Sequence, residues 1–281
     1  MTRAADWYEQ QYNARASIPD HPRILADWAE RSASLRARLA GDCDLAYGSD
    51  ALERLDWFPA PGPAPRPLAL FIHGGYWRSL DKRDFTFLVP ALHALGADAV
   101  LVNYTLCPAV SVAEIVEQNR RALLWVRAQS GPRGADPHRL FLVGHSAGAH
   151  LVAMLFATDW EGLGAAAAGS AIRGGLALSG VFELEPLRHT SINVEARLDG
   201  ATAAALSPAW LPPRVPAPLA LALGADESAE FHRQGALLAQ RWPNCAAPEQ
   251  VPGAHHFSVL EGLASPGALP WRLLDGLVRP G

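Results

Sequence analysis

Three features of the 281-residue sequence predict an α/β fold with a mostly parallel central sheet. Apolar runs of strand length recur along the chain. Segments with a helical spacing of apolar residues lie between them. One serine, flanked by glycines, stands at a strand-to-helix junction.

Residues 1–40 read as a helical extension, since Trp7, Tyr8 and Tyr12 and then Ile24, Leu25, Trp28, Leu35 and Leu39 recur near the helical period, with breaks at Pro19 and Pro22. Residues 42–58 read as a hairpin turning at Tyr47-Gly48-Ser49-Asp50, and the proline-rich stretch 59–67 as a surface connection. Strand-length apolar runs follow at 68–72, 99–102, 140–143, 175–181 and 219–223. They are nearly continuous, as strands covered on both faces require. Residues 249–251 offer a final strand, and helical spacing marks 112–128, 147–157 and 229–242.

Two stretches depart from this alternation. Residues 183–215 hold four prolines and two short helical segments between consecutive strands, and read as a cap-like insertion over the carboxyl edge of the sheet, where open α/β sheets bind ligands. Residues 160–174 are rich in alanine and glycine, with a short surface helix. With no internal repeat and no linker composition, residues 1–281 read as a single domain.

Composition narrows the function. The chain is 49% hydrophobic and 19% charged, with a formal net charge of -4 and a pI near 6.2. No basic run offers a field for a phosphate backbone, so nucleic acid is not an expected partner. No apolar stretch approaches the roughly 20 residues of a membrane span. The opening residues lack the apolar segment of a secretory signal, which makes a cytoplasmic protein the expectation. Cys43, Cys107 and Cys245 are far apart and have no C-x-x-C spacing; they read as buried free thiols, with neither a disulfide framework nor a metal site. No cofactor is expected, and a homodimer is compatible with the sequence.

The chemistry lies in Gly144-His145-Ser146-Ala147-Gly148. A serine with glycines two residues away on either side suits a sharp strand-to-helix turn that lifts the hydroxyl clear of the sheet, the nucleophile elbow of the α/β-hydrolase fold. The competing reading is a helix N-cap serine in an ordinary turn. A serine hydroxyl needs a base to remove its proton, and the base needs a carboxylate to orient it, in the chain order Ser, acid, His. Asp226 and Glu227 both stand at the end of the 219–223 strand, and His255 and His256 both follow the final strand, so residue order leaves each pair open. His150 lies on the helix after Ser146, His189 precedes the acid, and His232 falls on a later helix. His73-Gly74-Gly75-Tyr76-Trp77, after the 68–72 strand, is where this fold builds an oxyanion hole, with backbone N–H groups of the Gly74–Gly75 segment opposite that of Ala147.

The sequence resembles the kynurenine formamidase (arylformamidase) branch of the α/β-hydrolases over nearly its whole length. The resemblance is carried by Tyr12-Asn13-Ala14-Arg15, His73 to Trp77, Asn103-Tyr104-Thr105-Leu106-Cys107-Pro108, Gly144 to Gly148, Ser179-Gly180-Val181-Phe182-Glu183-Leu184, the segment from Glu227 to Gln234, and His256-Phe257. It implies Glu227 as the acid and His256 as the base, with glutamate where animal members have aspartate. It further implies cleavage of an N-formyl aryl amide, as in tryptophan catabolism, with a short-chain carboxylesterase as the alternative. A noncatalytic binding protein on the same scaffold is disfavoured, since all three triad types are present.

Tyr76 and Trp77 are expected to form an aromatic wall for an aryl leaving group, with Trp160, Phe182 or Trp210 joining from later segments or packing in the core. His73 is expected to orient its loop by hydrogen bonding. Arg188, Arg197 and Arg214 are candidates for a substrate carboxylate but read more readily as solvated.

Overall fold

A computed structural model describes residues 5–279. The chain opens with helices α1 (Ala5–Tyr12), α2 (Ala14–Ser17) and α3 (His21–Arg36), then the strands β1 (Asp42–Ala46) and β2 (Arg54–Phe58). Strand β3 (Arg66–Ile72) leads through a 3₁₀ segment, Lys82–Leu88, into α4 (Val89–His93) and β4 (Asp98–Val102). Helix α5 (Val112–Ser130), β5 (Ala135–His145), α6 (Ala147–Ala157), α7 (Ala166–Ala171) and β6 (Ile172–Leu178) follow. Short helices α8 (Asn193–Ala196) and α9 (Gly200–Ala205) precede β7 (Leu219–Gly224), α10 (Ala229–Arg241), β8 (Glu249–Val251), α11 (Val259–Ala264) and α12 (Leu269–Val278).

The strands form one eight-stranded sheet in the order β1-β2-β4-β3-β5-β6-β7-β8. Only the first hairpin and the β2–β4 pair are antiparallel. Neighbouring residues on a strand point to opposite faces, and the core divides accordingly. Leu68, Leu70 and Ile72 of β3 join one apolar cluster with Leu140 and Leu142 of β5, while Ala69 and Phe71 join the other with Phe141 and Val143. This two-faced burial is why these strands are apolar without interruption.

The α/β-hydrolase fold expected from the sequence is the fold observed, and each expected strand is present. The strand expected to reach residue 181 stops at Leu178, because Ser179 takes a left-handed backbone (φ 50°) and turns Val181 and Phe182 into the core. Of the three cysteines expected to be buried, Cys43 is exposed: it lies on the edge strand β1, most of whose residues are exposed. Helices α4, α11 and α12 lie outside the elements expected from the sequence. In α12, Trp271, Leu274 and Val278 are buried at helical spacing, a signal present in the sequence but confined to ten residues.

The sheet positions the functional residues. β3 has β4 on one side and β5 on the other, so the strand order reverses there and leaves a crevice beyond the carboxyl ends. In the β3–β5 register Ile72 lies opposite Gly144, which sets the loop after β3 beside the turn after β5.

Candidate active site

The turn after β5 is tight because its glycines allow it. A Cβ on Gly144 would overlap the Gly148 carbonyl, and a Cβ on Gly148 would overlap the carbonyl of Ile72 on the neighbouring strand. Ser146 sits between them in a strained conformation (φ 57°, ψ -119°), with its N–H bonded to Leu178 O. The Ala147 N–H heads α6, among the first helical amides that have no acceptor within the helix.

Beside Ser146, the Nε2 of His256 lies 3.1 Å from Ser146 Oγ, and its Nδ1 lies 2.8 Å from Glu227 Oε2. The second oxygen of Glu227 accepts from the Gly224 N–H at 2.7 Å and from Ser179 Oγ at 2.5 Å. Burial opposes the charge on Glu227, but His256 and these donors outweigh it and hold the carboxyl below its ordinary pKa. The Glu227 and His256 side chains are 1% and 5% exposed, so this line of contacts is shielded from water.

The neighbouring candidates fall elsewhere. The Asp226 side chain faces solvent while its N–H bonds to Ala254 O. His255 turns away from Ser146, its Nδ1 accepting from the N–H groups of Phe257 and Ser258. The ring of Phe231 packs 4.5 Å from that of His256, and His145 donates through Nε2 to His256 O at 2.7 Å. Burial, reinforced by His256, lowers the His145 pKa to about 3, so it serves as a neutral donor.

The loop after β3 runs against Ser146. A Cβ on Gly74 would come 2.8 Å from His145 O and 3.0 Å from Ser146 Cβ, and Gly75 holds φ at +110°. His73 is buried beneath this loop and stacks on Tyr104 at 4.4 Å; its ring nitrogens lie 2.8 Å from Gly74 O and 2.9 Å from Asn103 Oδ1. The expected pairing of aromatic residues at the mouth divides. Tyr76 lines the cavity in front of Ser146, and its hydroxyl donates to Tyr12 O at 2.7 Å. Trp77 does not line it: the side chain is fully buried, edge-on to His150.

Of the other aromatic candidates, Trp160 and Phe182 are in the core, whereas Trp210 is 48% exposed beneath Arg241, neither in the core nor at the cavity. Arg188, Arg197 and Arg214 lie outside this cavity.

The cavity is also lined by Arg15, Trp28, Arg78 and Ile192, to which the sequence assigns no role at the site. The N-terminal helices build one wall. Tyr12 Oη donates to Glu230 Oε2 at 2.7 Å and accepts from Gln234 Nε2, and Ser228 Oγ bonds to Gln11 O, so residues quoted from opposite ends of the chain meet in one network. Among the described residues no cluster of side chains could hold a metal ion, and no helix is long and apolar enough to cross a membrane.

A profile of the α/β-hydrolase fold matches residues 69–214. The sheet, the strained serine turn and this match define the chain as an α/β-hydrolase. It is 30% identical to the kynurenine formamidase of Danio rerio over 277 residues, covering 94% of this chain and 91% of that protein, and 29% identical to the one of Salmo salar over 91% and 87%. A crystal structure from Silicibacter sp. TM1040, provisionally described as a thioesterase, superimposes with a TM-score of 0.85 at 30% identity, over 96% of this chain and 98% of that one. The chain belongs to the kynurenine formamidase family of hydrolases.

Proposed function

We propose that this hydrolase cleaves N-formyl aryl amides, N-formylkynurenine foremost, through an acyl-enzyme on Ser146. The observation that carries this reading is the unbroken hydrogen-bonded line Ser146–His256–Glu227, within a chain related end to end to kynurenine formamidases. His256 Nε2 takes the hydroxyl proton as Ser146 Oγ attacks the formyl carbonyl, and Glu227 stabilises the resulting imidazolium. The oxyanion lies among backbone N–H groups of Ala147 and the Gly74–Gly75 segment; each such donor contributes about 3 kcal/mol in comparable enzymes.

The tetrahedral intermediate collapses as His256 returns the proton to the aryl amine, which leaves. Water then attacks the formyl ester, giving up its proton to His256, and formate departs with Ser146 restored. Tyr76 flanks the aryl leaving group.

The test compares turnover of N-formylkynurenine and of p-nitrophenyl acetate by wild type and by Ser146→Ala. Formamide turnover well above ester turnover, lost in the variant, is the expected result. Ester turnover alone would replace the formamidase reading with an esterase one, and activity surviving in Ser146→Ala would remove the mechanism.

A further inference from the structure

Two guanidinium groups line the cavity in front of Ser146: Arg15, on α2, and Arg78, just past the Gly74–Trp77 loop. They are unequally neutralised. Arg78 Nη1 lies 2.5 Å from Glu195 Oε2, and its charge also reaches Glu9. Arg15 donates to Ser79 Oγ at 2.8 Å, and among the described residues no carboxylate lies within 4.0 Å of it. Burial, and then the positive charge of Arg78, both lower its pKa, although a guanidinium remains charged throughout.

Arg15 is exposed at the mouth and brings a second cation beside Arg78 with no carboxylate of its own among the described residues, which leaves an excess of positive charge on a cavity whose other walls include Trp28, Leu80, Ile192 and Phe257. An entering anion reverses that balance. A guanidinium fork matches a carboxylate in a planar two-bond geometry. Because Glu9 and Glu195 already surround Arg78, the site suits a singly charged group better than a dianion such as phosphate.

We propose that Arg15, backed by Arg78, is a carboxylate-binding subsite that selects substrates whose leaving group carries an acid on a short side chain. This rests on the formamidase reading and deepens it by assigning the choice of acidic over neutral aryl formamides to Arg15. Arg15 receives the acid while the carbonyl lies at Ser146. The subsite acts on binding and orientation and takes no part in bond making.

The test uses substrate pairs that differ only in the acid: N-formylkynurenine with its carboxamide, and 3-(2-acetoxyphenyl)propanoate with its carboxamide. The acid-to-amide ratio of kcat/KM is measured for wild type, Arg15→Gln, Arg15→Lys and the surface control Arg188→Gln. Loss of one charge-assisted contact predicts a ratio lowered about ten-fold or more in Arg15→Gln, partly restored in Arg15→Lys and kept in Arg188→Gln. A wild-type ratio near unity, or equal losses for acid and amide in Arg15→Gln, would overturn the proposal. If formamides are not turned over but the ester pair still shows an Arg15-dependent ratio, the formamidase reading fails and the subsite stands. Matching melting curves confirm that folded variants are being compared.

Discussion

Gly148, in the first turn of α6, lies so close to Ile72 at the end of β3 that a single added methyl group would overlap the Ile72 carbonyl. This contact lets the helix after Ser146 start directly against the sheet, and it couples the two loops on either side of the crevice. Gly148→Ala must therefore push α6 off β3. The expected cost is about 3 kcal/mol or more, read as a lowered melting temperature, together with lost turnover. Gly276→Ala, where an added Cβ meets nothing, serves as the control and is expected to melt as wild type does.

The contacts of Glu227 separate it from its neighbour. In the proposed triad, Glu227→Gln leaves a neutral group against His256 Nδ1 and is expected to lower kcat on the order of 10,000-fold, the scale seen when an orienting acid is replaced by its amide. Asp226→Asn, with its side chain in solvent, is expected to stay within about three-fold, since exposed positions away from the reacting atoms change little. A larger loss at Asp226 would reverse the assignment.

Tyr12 ties the N-terminal wall to the helix that follows the acid. Tyr12→Phe removes the hydroxyl that Glu230 and Gln234 share, and should destabilise the protein by about 1 to 2 kcal/mol in denaturant titration. Because Tyr76 donates to Tyr12 O, displacement of this wall should also raise KM; an unaltered KM with lowered stability would confine Tyr12 to a structural role.

Acid stability tests the hairpin's anchoring. Lys82 is buried with Nζ 2.6 Å from Asp44 Oδ1 and 2.9 Å from Asp56 Oδ1. Burial works against the Asp44 charge, but Lys82 and Arg83 overcome it and bring the Asp44 pKa from 3.8 to about 2. The unfolded carboxyl takes up its proton at higher pH than the folded one, so this stabilisation is present above pH 3.8 and lost as pH falls towards 2. Melting temperatures should decline over that window in wild type and decline less in Asp44→Asn.

The order of strands and helices was legible in the sequence because each carries its own period: Leu68 to Ile72 must be apolar at every position to be covered on both faces, and Ala147 to Ala157 must be small or apolar along a buried helix. The serine turn was legible for a related reason, since only glycine permits the overlaps at positions 144 and 148. Sequence could not separate Asp226 from Glu227 or His255 from His256 by position, because adjacent residues on a turn differ only in the direction their side chains take.

Tertiary structure alone decided what lies in front of Ser146. Trp77 is next to Tyr76 in sequence, yet its ring packs in the core against His150 while Tyr76 faces the cavity. Ser179 was quoted only as part of a shared segment, and its bond to Glu227 appears once β6 and β7 lie side by side. Arg15, quoted only as part of the Tyr12–Arg15 segment, and Arg78 are 63 positions apart; they share a cavity because Tyr12 anchors the N-terminal helices across the crevice. Local periodicity and glycine sterics are properties of short segments and can be read from the chain. The charge environment of a cavity is a sum over segments brought together from its whole length, and only the folded arrangement sets it.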